Sequence, residues 1–186
     1  MHIRQLDRVA GTATLALVLW QCGGDTEAAR SASAPPNRVD ACELVPKQEV
    51  ETIVGASIAN ASANFSEHTY TKPVSFTASC MYTGAKRAVM LWVDYPNPES
   101  RWTSEELASR ISEQLRSDAE EEPSIKELYR STEVRPVAGL AGAAAEYAML
   151  DQTTLEVRAG QYHLKVVAPS SEIARGVAAK ALERLE

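Results

Sequence analysis

The chain is short of the residues on which most metal and nucleic-acid functions rest. Its 186 residues include three cysteines, Cys22, Cys42 and Cys80, and three histidines, His2, His68 and His163. No zinc motif of the usual Cys/His spacing can be drawn from so few ligands. Basic residues number 19 against 25 acidic ones, a formal net charge of −6. That balance argues against non-specific nucleic-acid binding, which needs a basic face to displace counterions from phosphates. No P-loop, Gly-x-Ser-x-Gly elbow or His-Glu-x-x-His occurs in the sequence. What is present is the composition of a globular protein, 45% hydrophobic and 24% charged.

Long apolar runs are scarce as well. Val9 to Trp20 is uncharged and largely apolar, but covers only 12 residues. As a helix it would span roughly 18 Å, against about 30 Å of bilayer hydrocarbon. Preceded by Arg4 and Arg8, it reads as the apolar segment of an export signal over residues 1–21 rather than a membrane span. Leu19-Trp20-Gln21-Cys22-Gly23 has the Leu and Cys spacing of a bacterial lipobox, with Gln21 standing where Gly, Ala or Ser is usual. Cys22 is therefore the expected lipidation site. Acyl chains contribute about 0.8 kcal/mol per buried CH₂, so a multiply acylated Cys would hold firmly to a membrane. The alternative, conventional cleavage near Ala32-Ser33-Ala34, meets Pro35 and lies far from the apolar run. Residues 22–39, with Gly23-Gly24 and Pro35-Pro36, read as a tether. An extracytoplasmic domain is expected over residues 40–186.

With Cys22 assigned to an anchor, Cys42 and Cys80 remain. In an exported protein such a pair is expected to oxidise to a disulfide. In a cytosolic one they would be two separately buried thiols. Neither sits in a CxxC pair or beside a His in sequence, which gives a catalytic cysteine no support.

Within the domain, Pro46, the stripe Val50, Ile53, Val54 and the stop Gly55 predict a helix. Ala56 to Ser75, rich in Ala, Ser and Asn, reads as a long loop. Phe76 to Tyr82 and Ala88 to Tyr95 predict paired strands, the second apolar without alternation and so expected to be central and covered on both faces. Thr103-Ser104-Glu105-Glu106 is a capping box, with Trp102 and Leu107 at staple positions, opening a helix striped by Leu107, Ile111 and Leu115. The run Glu120-Glu121-Glu122 lacks the spacing of a calcium loop and reads as a solvated helix end. Ala143 to Leu150, Thr154 to Arg158 and Tyr162 to Val167 predict three strands. Ser170 or Ser171 then caps a last helix striped by Ile173, Val177, Ala181, Leu182 and Leu185. The sum is a single α+β domain, helices on a mainly antiparallel sheet.

Asp40-Ala41-Cys42-Glu43-Leu44-Val45-Pro46, followed by Glu49-Val50 and Gly55, resembles the opening of a family of small bacterial lipoproteins of unknown function. In that family a D-x-C-x-L start leads into a helix ending at Gly, and a C-x-Y strand follows, here Cys80-Met81-Tyr82. Pro136 to Leu140, the Arg158-Ala159-Gly160 turn and the helix from Ala178 to Leu185 are similar to its C-terminal half. The chain departs from the pattern at Val45, where Thr or Ser is usual, and at Gln21. The resemblance implies a disulfide-stapled extracytoplasmic domain on a lipid tether and implies no catalytic residues.

For catalysis the candidates are few. His163 shares a strand face with Lys165, and His68 falls in the supposed loop. Asp94 and Glu146 are a carboxylate pair that glycosidic chemistry would use if the fold brought them together. No catalytic residue, metal ligand or cofactor is expected. Two non-catalytic readings stand. One is a binding or sensor module for a small ligand or an envelope protein, using Tyr70, Tyr82, Trp92, Trp102 or Tyr147. The other is a structural or accessory subunit of an envelope complex, with the Ala56–Ser75 loop as its contact surface. Asn60-Ala61-Ser62 and Asn64-Phe65-Ser66 in that loop match glycosylation sequons, a pattern short enough to arise by chance.

Overall fold

Alternating burial along its strands turns this chain into a seven-stranded sheet with a greasy side and a mixed side. The computed structural model describes residues 38–69, 71, 74–84, 88–97, 101–122 and 124–185; the expected export signal (residues 1–21), Cys22 and Tyr70 lie outside them. In chain order the elements are α1 (Ala41–Leu44), α2 (Lys47–Val54), β1 (Asn60–His68), β2 (Ser75–Thr83), β3 (Val89–Tyr95), α3 (Ser104–Glu121), α4 (Lys126–Ser131), β4 (Val134–Val137), β5 (Ala143–Met149), β6 (Gln152–Ala159), β7 (Tyr162–Ala168) and α5 (Ser171–Leu182). The strand order is β1-β2-β3-β7-β6-β5-β4, and every pairing is antiparallel. The α+β architecture read from the sequence is the one observed.

One face carries the main core. Cys80 and Tyr82 of β2, Leu91 and Val93 of β3, Leu164 and Val166 of β7, and Leu155 and Val157 of β6 are buried there, beneath Val177, Ala181 and Leu182 of α5 and Val50 of α2. The helices lie close because their contact residues are small. A Cβ added at Gly176 of α5 would stand 2.9 Å from Cγ2 of Ile53 in α2, so a larger residue there would force Ile53 to shift at the crossing of α2 and α5. The opposite face is covered by a helix where α3 lies on it. Leu107, Ile111 and Leu115 pack on Ala143, Ala145 and Tyr147 of β5, with Tyr129 of α4 alongside.

The capping box forms as the sequence dictates. Glu106 N–H donates to Thr103 Oγ1 at 3.2 Å, and Thr103 N–H donates to the Glu106 carboxylate at 2.8 Å. Ser104 fixes where the helix lands, donating to Val137 O at 3.1 Å and accepting from Ala144 N–H at 3.0 Å. Helix α2 ends at Gly55, whose φ of +68° places it in the left-handed region.

Three expectations are corrected. Ala56–Ser75 is not a loop: it contains β1, nine residues paired with β2 from Asn60↔Thr83 to His68↔Ser75. Its alternation is invisible because an edge strand with most side chains exposed buries no regular apolar face. Strand β3 is central, but only Val89, Leu91, Val93 and Tyr95 are buried, while Met90, Trp92 and Asp94 are half-buried. The second face is open there because α3 reaches β4 and β5 instead. In α5 the buried stripe is Ala174, Val177, Ala178, Ala181 and Leu182, with Ile173 and Leu185 at its margins.

Cys42 and Cys80 form a disulfide with Cα atoms 5.1 Å apart, tying α1 to β2. Two residues on, the buried Tyr82 hydroxyl donates to Val45 O at 2.5 Å, and burial drives its pKa upward. A loop closed across 38 residues restricts the unfolded chain by about 3–4 kcal/mol. Replacing both cysteines by Ser is therefore expected to lower unfolding free energy by that amount in denaturant titration, and the unfolded, non-reduced protein should expose no thiol from either position. Gly142 makes a second prediction. Its φ is +99°, and an added Cβ would stand 2.1 Å from Arg158 O. Gly142→Ala should cost more than about 1 kcal/mol in the same titration.

Candidate functional site

On the mixed face, polar side chains from neighbouring strands meet in a line across the sheet. Strand order brings Asp94 of β3 beside His163 of β7, and the β6–β7 hairpin brings Glu156 beside them. His163 Nε2 is 3.1 Å from Glu156 Oε2, and its Nδ1 is 3.5 Å from Asp94 Oδ2. Lys165 Nζ lies 4.0 Å from the other Glu156 oxygen. Toward the sheet edge, Thr77 Oγ1 donates to Asp94 at 2.6 Å, and His68 Nε2 lies 2.9 Å from the same Thr77 oxygen.

The chemistry of this line follows from its protons. Burial opposes a charge on His163, yet the hydrogen bonds to Asp94 and Glu156 outweigh it and raise the pKa. For Glu156 and Asp94, burial likewise favours the neutral acid, and hydrogen bonding to His163 overcomes it, so both are lowered. All three shifts run in the direction that favours an imidazolium between two carboxylates, and both ring nitrogens face a carboxylate oxygen. Neither ring nitrogen is left to take a proton from a substrate. Thr77 directs its hydroxyl at Asp94, so the His68 ring nitrogen facing Thr77 donates to it and does not activate it as a nucleophile.

Beside this line a groove of about 550 Å³ runs between α3 and the sheet. Its lining includes Trp102, Arg110, Gln114 and Asp118 on the helix side, and Glu156, Arg158 and Lys165 on the sheet. Two guanidiniums stand over the Trp102 indole, Arg110 at 4.4 Å and Arg158 at 4.8 Å from its centroid. Tyr147 lies at the floor, where burial and the Glu156 charge push its phenol up to about 12. Trp102 thus combines packing beside the α3 core with a polar, half-buried flank.

The sequence-read candidates sort clearly. His163 and Lys165 do share a face, and both border Glu156. His68 lies on β1 in the same polar line. Asp94 and Glu146 are not brought together: they project from opposite faces of the sheet, with β7 and β6 between their strands. Glu146 instead meets Arg175 at 2.8 Å and accepts from the Ser171 hydroxyl at 2.6 Å, on the α5 side. Tyr82 is core, and Trp92 is half-buried on the mixed face. The acidic run at the end of α3 stands as a helix terminus. Among the described residues no group of three or more His, Cys, Asp or Glu is arranged to hold a metal, and no helix is long and apolar enough to cross a membrane. Glu156 was missed, although the hairpin register around Gly160 sets it opposite Lys165 and diagonal to His163.

Compared with known proteins, the chain matches no family model, no curated protein and no solved structure.

The paired charges set a pH signature. His163, with its pKa raised above the ordinary 6.5, stabilises the fold fully below that value, and the contribution is lost as pH rises through the raised one. Glu156 and Asp94, lowered from 4.5 and 3.8, stabilise it above those values and lose the contribution as pH falls. The cluster should therefore contribute most between pH 4.5 and 6.5. His163→Gln is expected to cost about 2 kcal/mol in that window and less at pH 9, read from urea midpoints across pH. An equal loss at every pH would contradict the charged assignment.

Proposed function

We propose that this chain is an exported envelope protein, anchored through a lipidated Cys22, whose folded domain is a non-catalytic binding or sensor module. The observation that carries the reading is the Cys42–Cys80 disulfide, a bond that persists in oxidising compartments and is rare in the cytosol. It agrees with the apolar segment ending at Trp20 and with the lipobox-like spacing of Leu19 and Cys22. The similarity to small lipoproteins at Asp40 to Pro46 supports the same reading.

The groove between α3 and the sheet is the binding surface in this proposal. Binding sites combine a concave surface with a few placed polar groups, and this one offers an indole, Arg110, Arg158, Lys165, Gln114 and Asp118 around about 550 Å³. The closed state of the His163 cluster is why recognition is preferred to catalysis here. The fit is to a small polar ligand or an exposed segment of an envelope protein, with Trp102 as the flat contact. A second reading, an accessory subunit of an envelope complex, draws on Met81 and Val74, which are 45% and 38% exposed.

Mass spectrometry of the mature N-terminus tests the anchor: acylated Cys22 is the expected first residue, and Cys22→Ser should move the protein from membrane to soluble fractions. An unmodified Cys22 removes the anchor from the account. Affinity capture from envelope extracts tests recognition. The unaltered protein should retain a stoichiometric ligand or partner, and Trp102→Ala should reduce its recovery about tenfold, as loss of an aromatic anchor does at binding hot spots. Equal recovery by both would sink the groove assignment.

A further inference from the structure

The two edges of the sheet are guarded very differently. At one, β4 has four residues with Arg135 and Pro136 in its middle, a short and interrupted strand that resists further pairing. At the other, β1 runs nine residues in unbroken register with β2 and contains no Pro, Lys or Arg. No described strand pairs with its outer side, and Ser62, Ala63 and Asn64 at its centre are exposed. An edge this long and this plain is a template for another strand.

We propose that β1 is a homodimer interface, the β1 strands of two copies pairing antiparallel about a twofold axis through Asn64. Self-pairing demands that a strand tolerate its own reversal, and this one does. With Asn64 on the axis, Ser62 stands opposite the partner's Ser66, Ala63 opposite the partner's Phe65, and Ala61 opposite the partner's Glu67. No like charges meet, and the two Phe65 side chains become diagonal neighbours within reach of each other.

Charge complementarity favours a second copy over an unrelated strand. Arg38 lies over Phe65, 4.2 Å from the ring centroid, beside a cleft of about 260 Å³ that also takes in Ala63 and Asn64. In the self-paired register the partner's Glu67 falls diagonal to Ala63 on that same face, facing Arg38. The twofold axis is perpendicular to the sheet, so both Arg38 residues lie on one side. Under the anchoring proposal two anchors would then enter one membrane, which raises effective concentration; the pairing itself does not need the anchor.

The test uses the full chain carrying Cys22→Ser, so that anchoring plays no part. Sedimentation equilibrium is expected to show a dimer. Ser62→Lys with Ser66→Lys sets like charges directly across the axis and should raise the dissociation constant about tenfold. Ser62→Lys with Ser66→Glu sets opposite charges there and should leave it unchanged or lower. Circular dichroism checks that both variants stay folded. Under mild oxidation Asn64→Cys should cross-link to itself, since facing residues lie about 4.5–5.5 Å apart. Ser62→Cys alone should not, its two copies being about 13 Å apart. A monomer at all concentrations overturns the proposal, as does cross-linking no faster at position 64 than at position 62. A monomer that binds an extended peptide along β1 also overturns it.

Discussion

A seven-stranded sheet has two faces to cover, and this chain supplies helices for one and part of the other. That shortfall shapes the rest of the molecule. Helices α1, α2 and α5 take the face where β2, β3, β7 and β6 send Tyr82, Leu91, Leu164 and Leu155. They fit because α5 presents Ala174, Ala178, Ala181 and, at the crossing with α2, Gly176. Helix α3 takes the other face only over β4 and β5, where Ala143 and Ala145 leave room for Leu107, Ile111 and Leu115. Where α3 stops, the sheet must face water with side chains that tolerate it.

Those side chains explain the polar line. A half-covered surface can hold ionisable groups only if they pair, because burying a lone charge costs several kcal/mol. His163 and Glu156 have side chains 16% and 14% exposed, and Asp94 is 45% exposed. The most buried members are thus the ones that neutralise each other, and the outermost carboxylate is the one water reaches. Next to them the margin of α3 leaves the groove in which Trp102 meets Arg110 and Arg158. Groove and charge cluster are both products of a helix that covers part of a face.

Much of this was legible in the sequence, and the illegible parts share a cause. Helix α3 announced itself through Thr103 and Glu106, and α2 through Pro46 and Gly55. Strands β2, β3, β5, β6 and β7 showed in apolar runs separated by turns. The disulfide followed from a count of cysteines and the expectation of export. Strand β1 was hidden because Asn60-Ala61-Ser62-Ala63-Asn64 buries nothing regular, and β4 because four residues around Pro136 carry no period. The site was half legible. His163 and Lys165 share a face by simple alternation, and Glu156 follows from the hairpin register. Asp94 joins them only through the order of strands, which places β7 beside β3, a non-local fact no spacing encodes. The imagined Asp94–Glu146 pair failed for the same reason.

The bridge between Cys42 and Cys80 also fixes how the domain carries load. Tension applied at Arg38 travels four residues along the backbone to Cys42 and then passes through a covalent bond into β2, one strand in from the edge. It does not have to be borne by α1 packing alone. Arg184 reinforces the same end, donating to Leu44 O at 2.6 Å and to the Glu49 carboxylate at 3.0 Å, so the turn after α5 braces α1 and α2. The start of the described domain is thereby wired into a strand with neighbours on both sides, and a pull that would peel a loosely docked helix away is shared among strands instead.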